Sequence, residues 1–289
     1  MNPLEVRNLR MGFWRKKVLE DISFIIEPGK IVGYVGRNAA GKTTTIKTIM
    51  GLYAPENGEV SLFGEVNQRK QVKLRENVGY VPEDHVFYDN LKVKHSCEYI
   101  SSYFPKWDRD YEKELIKKFD LDPEVKFKNL SRGQKAKLFL LFALAHKPEL
   151  IIMDEPTSHL DPVARNEFWE TTIDLIADTG ASVFISTHLI NDIERIADQY
   201  ILLKNGFIEF QKDADDLKKM VKITSISSEN LENLSEEEKK LIIRKRKISK
   251  GYEIFVETPF LKGDFHWEST SIEEILISYL MKNGEKSNE

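Results

Sequence analysis

The stretch Gly36-Arg37-Asn38-Ala39-Ala40-Gly41-Lys42-Thr43 fits the pattern of a phosphate-binding loop, Gly-x-x-x-x-Gly-Lys-Thr. An apolar run over residues 31–35 precedes it and a helical pattern starts at Lys42, so the loop joins a buried strand to a helix. Small residues let backbone N–H groups close around phosphate oxygens, and the helix N-terminus favours an anion. The stretch therefore predicts an α/β fold that holds a nucleoside triphosphate, in preference to an ordinary strand–helix turn with a chance lysine.

Within this loop, the residues from Gly36 to Thr44 are expected to contact phosphate oxygens. We expect Lys42 to reach the β- and γ-phosphates and the Thr43 hydroxyl to ligate Mg²⁺. Ala39 occupies a position that is often glycine in such loops. If that position has a positive φ, alanine costs about 1 kcal/mol there, and nucleotide binding should survive the cost.

Short apolar runs alternate with helical patterns on both sides of the loop. Strands are predicted at residues 4–9, 22–26, 31–35, 59–63, 78–81, 150–153, 183–185, 200–203 and 207–210. Helices are predicted at residues 42–51, at about 163–178, directly after His188, and at 272–281. The alternation indicates a three-layer α/β domain over residues 1–215, with a largely helical stretch at about 88–146 inserted in it. Residues 216–289 are richer in charge runs and form a small extension.

Composition limits the classes of function. Hydrophobic residues make up 41% of the 289 residues, which is enough for a sizeable core. A net charge of −4 lacks the basic surplus of a nucleic-acid-binding protein, so no nucleic-acid partner is expected. Cys97 is the single cysteine, which excludes an internal disulfide and favours a reducing compartment. We find neither a signal-peptide pattern nor an apolar run of about 20 residues, so we do not expect this chain to span a bilayer.

Two adjacent acids, Asp154 and Glu155, follow the apolar run at residues 150–153. In an open α/β sheet the carboxyl ends of the strands form the ligand crevice, so both side chains are expected near the phosphates. Asp154 would hold hydrated Mg²⁺, and Glu155 could orient or deprotonate the attacking water. The alternative is that the two acids merely begin the loop after the strand.

Two further segments have both a structural and a functional interpretation. Leu130-Ser131-Arg132-Gly133-Gln134 precedes a helix, and Ser131 is a plausible N-cap of that helix. A helix N-terminus with a hydroxyl group is also an anion site, so the same segment could contact phosphate. His188 follows the predicted strand at 183–185 and is either an ordinary loop histidine or a phosphate contact.

Taken together, these segments resemble the ATP-binding subunit of ABC transporters over nearly all of residues 3–215. Residues 36–43 resemble the family's Walker A motif, 130–134 its LSGGQ signature, 150–155 its Walker B motif, Ser158-His159-Leu160-Asp161 its D-loop, and His188 its switch histidine. The resemblance implies an ABC-type P-loop core with an antiparallel β subdomain, a helical subdomain and a small C-terminal α+β extension. It also implies that the chain hydrolyses ATP with Mg²⁺.

The resemblance assigns roles within these motifs. Glu155 would be the catalytic base and His188 the sensor of the γ-phosphate. The signature would consist of Ser131, Arg132, Gly133 and Gln134, of which Ser131 and Gly133 would contact a γ-phosphate held on an opposite subunit. Ser158 and Asp161 would form the D-loop.

The family also places an aromatic ring under the adenine, just before the second strand. Phe13 fits that position best, and its neighbour Trp14 is the alternative. Adjacent residues of a strand face opposite sides, so only one of the two can stack. Such a ring would contribute ~1–3 kcal/mol, the scale of base–aromatic contacts.

Three positions depart from the family pattern. Glu83 stands where the family normally has glutamine, and its carboxylate could still bind Mg²⁺ or a water. Arg132 replaces the first glycine of the signature, and its guanidinium could approach the partner's nucleotide. His159 replaces the usual glycine of the D-loop.

Several variants, among them Glu83 and the stretch 103–108, look like those of ATPases paired with ABC-2-type exporters. This resemblance implies a second ATPase subunit, either another copy or a paralogue, and integral membrane permease subunits. The chain would be cytoplasmic and held at the inner face of the membrane. A groove beside Glu83, lined by Tyr99, Tyr103, Phe104 and Trp107, would receive a short permease helix, unless these aromatics fill the core of the helical subdomain.

Two other functions compete with this one. A soluble ABC ATPase acting on nucleic acid or ribosomes is disfavoured by the presence of one nucleotide domain instead of two and by the lack of a basic surplus. A partner that binds ATP without hydrolysing it is disfavoured because Glu155 and His188 are both present.

Overall fold

The computed structural model describes residues 1–14, 16–66, 72–257 and 265–282, and it divides the chain into two compact units. The first unit is Met1–Gln211 and the second is Lys212–Glu289, so the division falls shortly before the predicted boundary at residue 215. Each unit has its own hydrophobic core.

The nine predicted strands each overlap an observed one. In chain order the strands are β1 (Leu4–Phe13), β2 (Lys16–Ile26), β3 (Ile31–Gly36), β4 (Asn57–Leu62), β5 (Glu65–Val66), β6 (Val78–Val81), β7 (Leu150–Asp154), β8 (Ser182–Thr187), β9 (Gln199–Lys204) and β10 (Phe207–Asp213). The helices between them are α1 (Lys42–Ile49), α2 (Val93–Ser101), α3 (Arg109–Lys118), α4 (Arg132–Leu144) and α5 (Pro162–Thr179). Helices α2, α3 and α4 lie within the stretch 88–146.

A six-stranded sheet with the order β10-β9-β3-β8-β7-β6 forms the centre of the first unit. Parallel pairing joins β9 to β3, β3 to β8, β8 to β7 and β7 to β6. The register places Val35 beside Thr187 and Asp154 beside Ser186, so the carboxyl ends of β3, β7 and β8 meet at one edge. A ligand crevice is expected at that edge.

A second sheet, with the order β2-β1-β4-β5, is antiparallel and packs on the same core. Phe24 of β2 stacks on Phe184 of β8 with ring centroids 5.4 Å apart, and both rings contact Tyr34 of β3. The Tyr34 hydroxyl lies 3.0 Å from Thr45 Oγ1 in α1. These contacts fix helix α1 against the strand that precedes the phosphate loop.

Helix α4 approaches β6 closely at Gly79. A Cβ atom at that position would lie 2.3 Å from the carbonyl oxygen of Ala143, a backbone atom that cannot move away cheaply. Glycine therefore allows α4, whose residues from Leu138 to Leu144 are all buried, to pack directly on the sheet.

The prediction of a helix directly after His188 is wrong. The structure has only a short 3-10 turn, Ile190–Asp192, followed by turns. The tight turn buries Ile190 and Ile193 and lets the Asp192 side chain accept a hydrogen bond from Thr157 Oγ1 at 2.8 Å. Burial of these two isoleucines and the tertiary contact of Asp192 outweigh the local helical preference.

The second unit is an α+β fold. In chain order it contains α6 (Ala214–Met220), β11 (Val221–Ile226), α7 (Ser228–Glu232), α8 (Glu236–Lys240), β12 (Ile242–Ile248), β13 (Gly251–Glu257), β14 (Glu268–Ser269) and α9 (Ile272–Met281). Its strands form an antiparallel sheet with the order β12-β13-β11-β14. Throughout the described part of the chain, no helix combines the length and apolar character that crossing a membrane requires.

Candidate functional site

Most residues predicted to hold nucleotide line one cleft of about 540 Å³ in the first unit. The predicted residues in its lining are Phe13, Asn38, Ala39, Gly41, Lys42, Thr43, Thr44, Glu83, Glu155, Ser158 and His188. Among the described residues, the other predicted ones do not belong to this lining: Gly36, Arg37, Ala40, Asp154, Asp161 and the signature residues 131–134. The chain therefore brings its Walker motifs together but leaves its signature outside the cleft.

The phosphate loop has the backbone that such a loop needs. Ala39 has φ +63° and Gly41 has φ +114°, so the alanine does occupy a left-handed conformation that favours glycine. A Cβ atom at Gly36 would lie 2.6 Å from the carbonyl oxygen of Leu203. Helix α1 starts at Lys42 without a side-chain N-cap, so its first N–H groups remain available to an anion.

A chain of buried charges runs through the cleft. Lys42 Nζ lies 2.8 Å from the carbonyl oxygen of Gly36, 3.4 Å from that of Arg37 and 3.0 Å from Glu155 Oε1. The other carboxylate oxygen, Glu155 Oε2, lies 2.7 Å from His188 Nδ1 and accepts a hydrogen bond from the His188 backbone at 3.2 Å. Lys42 and Glu155 are both buried, so each charge depends on the other for compensation.

Asp154 and Thr43 form a site that fits Mg²⁺. Asp154 Oδ1 accepts hydrogen bonds from Ser186 Oγ at 2.5 Å and from Thr43 Oγ1 at 3.3 Å. Its other oxygen, Oδ2, is buried and has no hydrogen-bond partner among the described residues, and burial raises the pKa of this carboxyl. Because Mg²⁺ takes oxygen ligands and is usually bound by one or two side chains together with substrate phosphates, this small donor set suits it. In the described residues no group of three acidic, histidine or cysteine side chains could hold a metal alone.

Glu83 lies in the cleft lining near these acids. Burial raises its pKa first, and the charges of Asp154, Glu155 and Asp84 raise it further, while His159 lowers it. The carboxylate at this position therefore adds negative charge to a region that already holds two acids. His159, which also lines the cleft, compensates part of that charge.

The signature residues form a capping box at the N-terminus of α4. Ser131 Oγ accepts a hydrogen bond from Gln134 N at 3.1 Å, and Gln134 Oε1 accepts one from Ser131 N at 3.0 Å. The predicted N-cap role of Ser131 is therefore confirmed. Arg132 Nη1 donates to the carbonyl oxygen of His159 at 3.5 Å, so the signature and the D-loop of the same chain are in contact.

The D-loop residues also have local partners. Asp161 caps α5, since its side chain accepts hydrogen bonds from the backbone of Val163 and Ala164. Ser158 Oγ is buried and has no hydrogen-bond partner in the described part of the chain, and Ser158 lines the cleft. The hydroxyl of Ser158 is therefore available to a group that enters the cleft.

Phe13 and Trp14 lie in different surroundings. Phe13 lines the cleft, and its ring and that of Tyr53 form a T-shaped pair with centroids 5.3 Å apart. Trp14 has φ +57° and is fully exposed. Stacking of Phe13 on a bound base stays a prediction.

Sequence reasoning missed two residues of the site. Ser186 holds Asp154, and the only signal for it was a hydroxyl at the end of the strand that pairs with β7. Tyr53 supports Phe13 and follows α1, where no local pattern marks it. Both act through contacts between segments that are distant in the sequence.

Replacing Phe13 by alanine should weaken ATP binding by about five- to 150-fold, because a stacked ring contributes ~1–3 kcal/mol. The measurement is a titration of the purified chain with ATP. Trp14→Ala is the matched control, and it should change the affinity less than twofold. Equal losses in both variants would contradict the assignment of Phe13.

A model of the family described as ABC transporter matches residues 19–158. The ABC transporter ATP-binding protein YtrB of Bacillus subtilis is 33% identical over 215 residues, which cover 74% of this chain and 73% of that protein. The Nod factor export ATP-binding protein I of Burkholderia lata is 34% identical over 71% of this chain and 68% of its own length.

A solved structure of an ATP-binding subunit of an ABC transporter superposes with a TM-score of 0.68. It is 31% identical in sequence, and the match covers 75% of this chain and 92% of that structure. The fold, the order of the motifs and these relatives all indicate the same family. The chain belongs to the ATP-binding proteins of ABC transporters, which hydrolyse ATP.

Proposed function

We propose that the cleft binds ATP with Mg²⁺ and that Glu155 is the general base of its hydrolysis. The observation that carries this proposal is the position of the Glu155 carboxylate, 3.0 Å from Lys42 Nζ and 2.7 Å from His188 Nδ1. In the reaction, a water oxygen attacks the γ-phosphorus, the bond to the β–γ bridging oxygen breaks, and Glu155 takes the proton from the water.

In this mechanism, phosphate binding to Lys42 also releases Glu155 from its ion pair with Lys42. An ammonium group has three donors, and those of Lys42 face Gly36, Arg37 and Glu155. Phosphate oxygens that bind Lys42 must replace some of these acceptors. Glu155 Oε1 then loses its cation and becomes free to accept a proton from water.

His188 would act through both of its ring nitrogens. Nδ1 lies 2.7 Å from Glu155 Oε2 and holds that carboxylate, while Nε2 would bind a γ-phosphate oxygen.

The residues that would hold Mg²⁺ are Thr43 and Asp154, with Glu83 as a further oxygen donor. When bound, the ion neutralises charge on the β- and γ-phosphates and so stabilises the transition state. Ser186 keeps Asp154 in place through its 2.5 Å hydrogen bond.

We infer that a second ATPase subunit completes the site. Ser131 and Gly133 lie outside the cleft of their own chain, at the N-terminus of α4, where backbone N–H groups favour an anion. The γ-phosphate of one chain would bind to this signature on the other, and Ser131 would donate its hydroxyl proton to the phosphate while Oγ still accepts from Gln134 N. ATP then favours the closed dimer, and hydrolysis removes that preference. The partner is a second copy or a paralogue.

We infer that the permease docks on an exposed tyrosine face, defined as Tyr88, Tyr99 and Tyr103. These side chains are all exposed, and Tyr103 donates a hydrogen bond to the Tyr99 hydroxyl at 3.1 Å. Phe104 instead stacks on buried His146, with centroids 4.1 Å apart, and Trp107 Nε1 donates to Glu112 at 2.6 Å. Of the four predicted groove residues, only Tyr99 and Tyr103 are therefore exposed enough to meet a partner.

We propose that the transporter is an exporter of the ABC-2 type. The relative from Burkholderia lata is named for Nod factor export, and the variants around Glu83 and residues 103–108 resemble those of this group. In this arrangement the chain is a cytoplasmic motor held at the inner face of the cell membrane by the permease.

Replacing Glu155 by glutamine should abolish turnover without abolishing ATP binding. Glutamine keeps the shape of the side chain but cannot accept the water proton, so phosphate release should fall at least about a hundredfold. Size-exclusion chromatography with Mg²⁺ and ATP should then show a trapped dimer. A Glu155→Gln variant that released phosphate at nearly the normal rate would overturn the role of Glu155.

Replacing Tyr99 and Tyr103 together by serine should weaken the binding of the chain to its permease. Co-purification from membranes, with the permease identified by mass spectrometry, should fall at least about tenfold because the aromatic contact area is lost. Phe207→Ser changes another exposed aromatic residue of the first unit and should leave co-purification unaltered. Equal retention of the double variant and the wild type would contradict this docking surface.

A further inference from the structure

A second set of contacts lies beside the Glu155–His188 pair. Thr157, which is buried, donates from Oγ1 to Asp192 Oδ2 at 2.8 Å. The same carboxylate oxygen lies 3.7 Å from Arg165 Nε, and Arg165 Nη2 donates to the carbonyl oxygen of Leu160 at 3.3 Å. The side chain of Asp192 is 11% exposed and that of Arg165 25%, so the pair is largely shielded from water. We name these residues, Thr157, Leu160, Arg165 and Asp192, the D-loop brace.

The brace joins the two segments that carry the chemistry. Thr157 and Leu160 follow Glu155, and Asp192 follows His188. Glu155 also contacts His188 directly, through Nδ1 at 2.7 Å and the backbone N–H at 3.2 Å, and its own N–H donates to the Ser186 carbonyl at 3.0 Å. The brace adds a connection farther along both segments, which limits their movement relative to each other.

The backbone at Glu155 needs such support. Its φ of +46° lies in the left-handed region, which a glutamate adopts only at a cost in free energy. The backbone N–H of Glu155 is held by the Ser186 carbonyl at 3.0 Å and faces Ser186 Oγ at 3.2 Å. These bonds hold the backbone at Glu155, where the turn after β7 starts. The brace holds the end of that turn, so contacts on both sides of Glu155 maintain its strained conformation.

We propose that Asp192 and Arg165 are positioning residues for ATP hydrolysis. Asp192 holds Thr157 directly and, with Arg165, holds the Leu160 carbonyl, so that the carboxylate of Glu155 stays aligned with His188. The same contacts set the position of Ser158 and His159, which line the cleft between these anchors. This proposal rests on the proposed roles of Glu155 and His188 in hydrolysis.

The test compares Asp192→Asn, Arg165→Met and the double variant in the purified full chain. Each single change should lower kcat about tenfold, because small misplacements of catalytic groups cost rate. The dissociation constant for ATP without Mg²⁺ should change less than twofold. The double variant should be no slower than the slower single variant, because the two residues act as one unit. Glu167→Gln removes a different ion pair on α5, that with Lys137 at 3.3 Å, and should leave kcat unchanged.

Thr157 provides an independent pair of variants in which the fold is scarcely altered. Thr157→Ser keeps the hydroxyl that binds Asp192, and it should retain wild-type kcat. Thr157→Val replaces the hydroxyl by a methyl group of similar size, and it should lower kcat about tenfold with ATP affinity unchanged.

Three results would overturn the proposal: kcat within twofold of the wild type in Thr157→Val and Asp192→Asn, losses that multiply in the double variant, or a parallel loss of ATP affinity. Failure of the proposed roles of Glu155 and His188 would give a different result from failure of the brace proposal. In that case the Glu155→Gln and His188→Ala variants would hydrolyse ATP at wild-type rates, whatever the rates of the brace variants.

Discussion

The carboxylate of Glu155 lies between a buried ammonium group and an imidazole, with 3.0 Å to Lys42 Nζ and 2.7 Å to His188 Nδ1. A buried carboxylate is costly unless both its oxygens have partners, and these partners come from different elements. Lys42 is the first residue of α1, Glu155 follows β7 and His188 follows β8. The contacts among Lys42, Glu155 and His188 therefore depend on the parallel register of β3, β8 and β7. A shift of one residue in that register would separate the three side chains.

Local patterns were sufficient to predict the parts of this site that are local. The phosphate loop, the apolar strand before Asp154 and the capping box of Ser131 and Gln134 each depend on residues close together in the sequence. Contacts across the fold left no such signal. The bond from Ser186 to Asp154 and the link from Thr157 to Asp192 depend on strand order and loop packing. The wrongly predicted helix after His188 has the same cause, because tertiary packing of this segment outweighs the local helical pattern.

The three departures from the family pattern lie next to one another in the fold. Arg132 Nη1 contacts the carbonyl oxygen of His159, and His159 Nε2 lies 3.9 Å from Asp84, the neighbour of Glu83. His159 also offsets the nearby acids that raise the pKa of Glu83. The acid at position 83 therefore has one basic side chain near it, that of His159, whose carbonyl oxygen contacts Arg132.

We infer that the signature of one chain completes the cleft of another. It is tested most directly by mixing two inactive variants, Lys42→Ala and Ser131→Ala, and measuring phosphate release. A mixed dimer contains one site with an intact phosphate loop and an intact signature, so the mixture should hydrolyse ATP faster than either variant alone. A mixture that is no faster than the mean of the two separate variants would contradict the shared site.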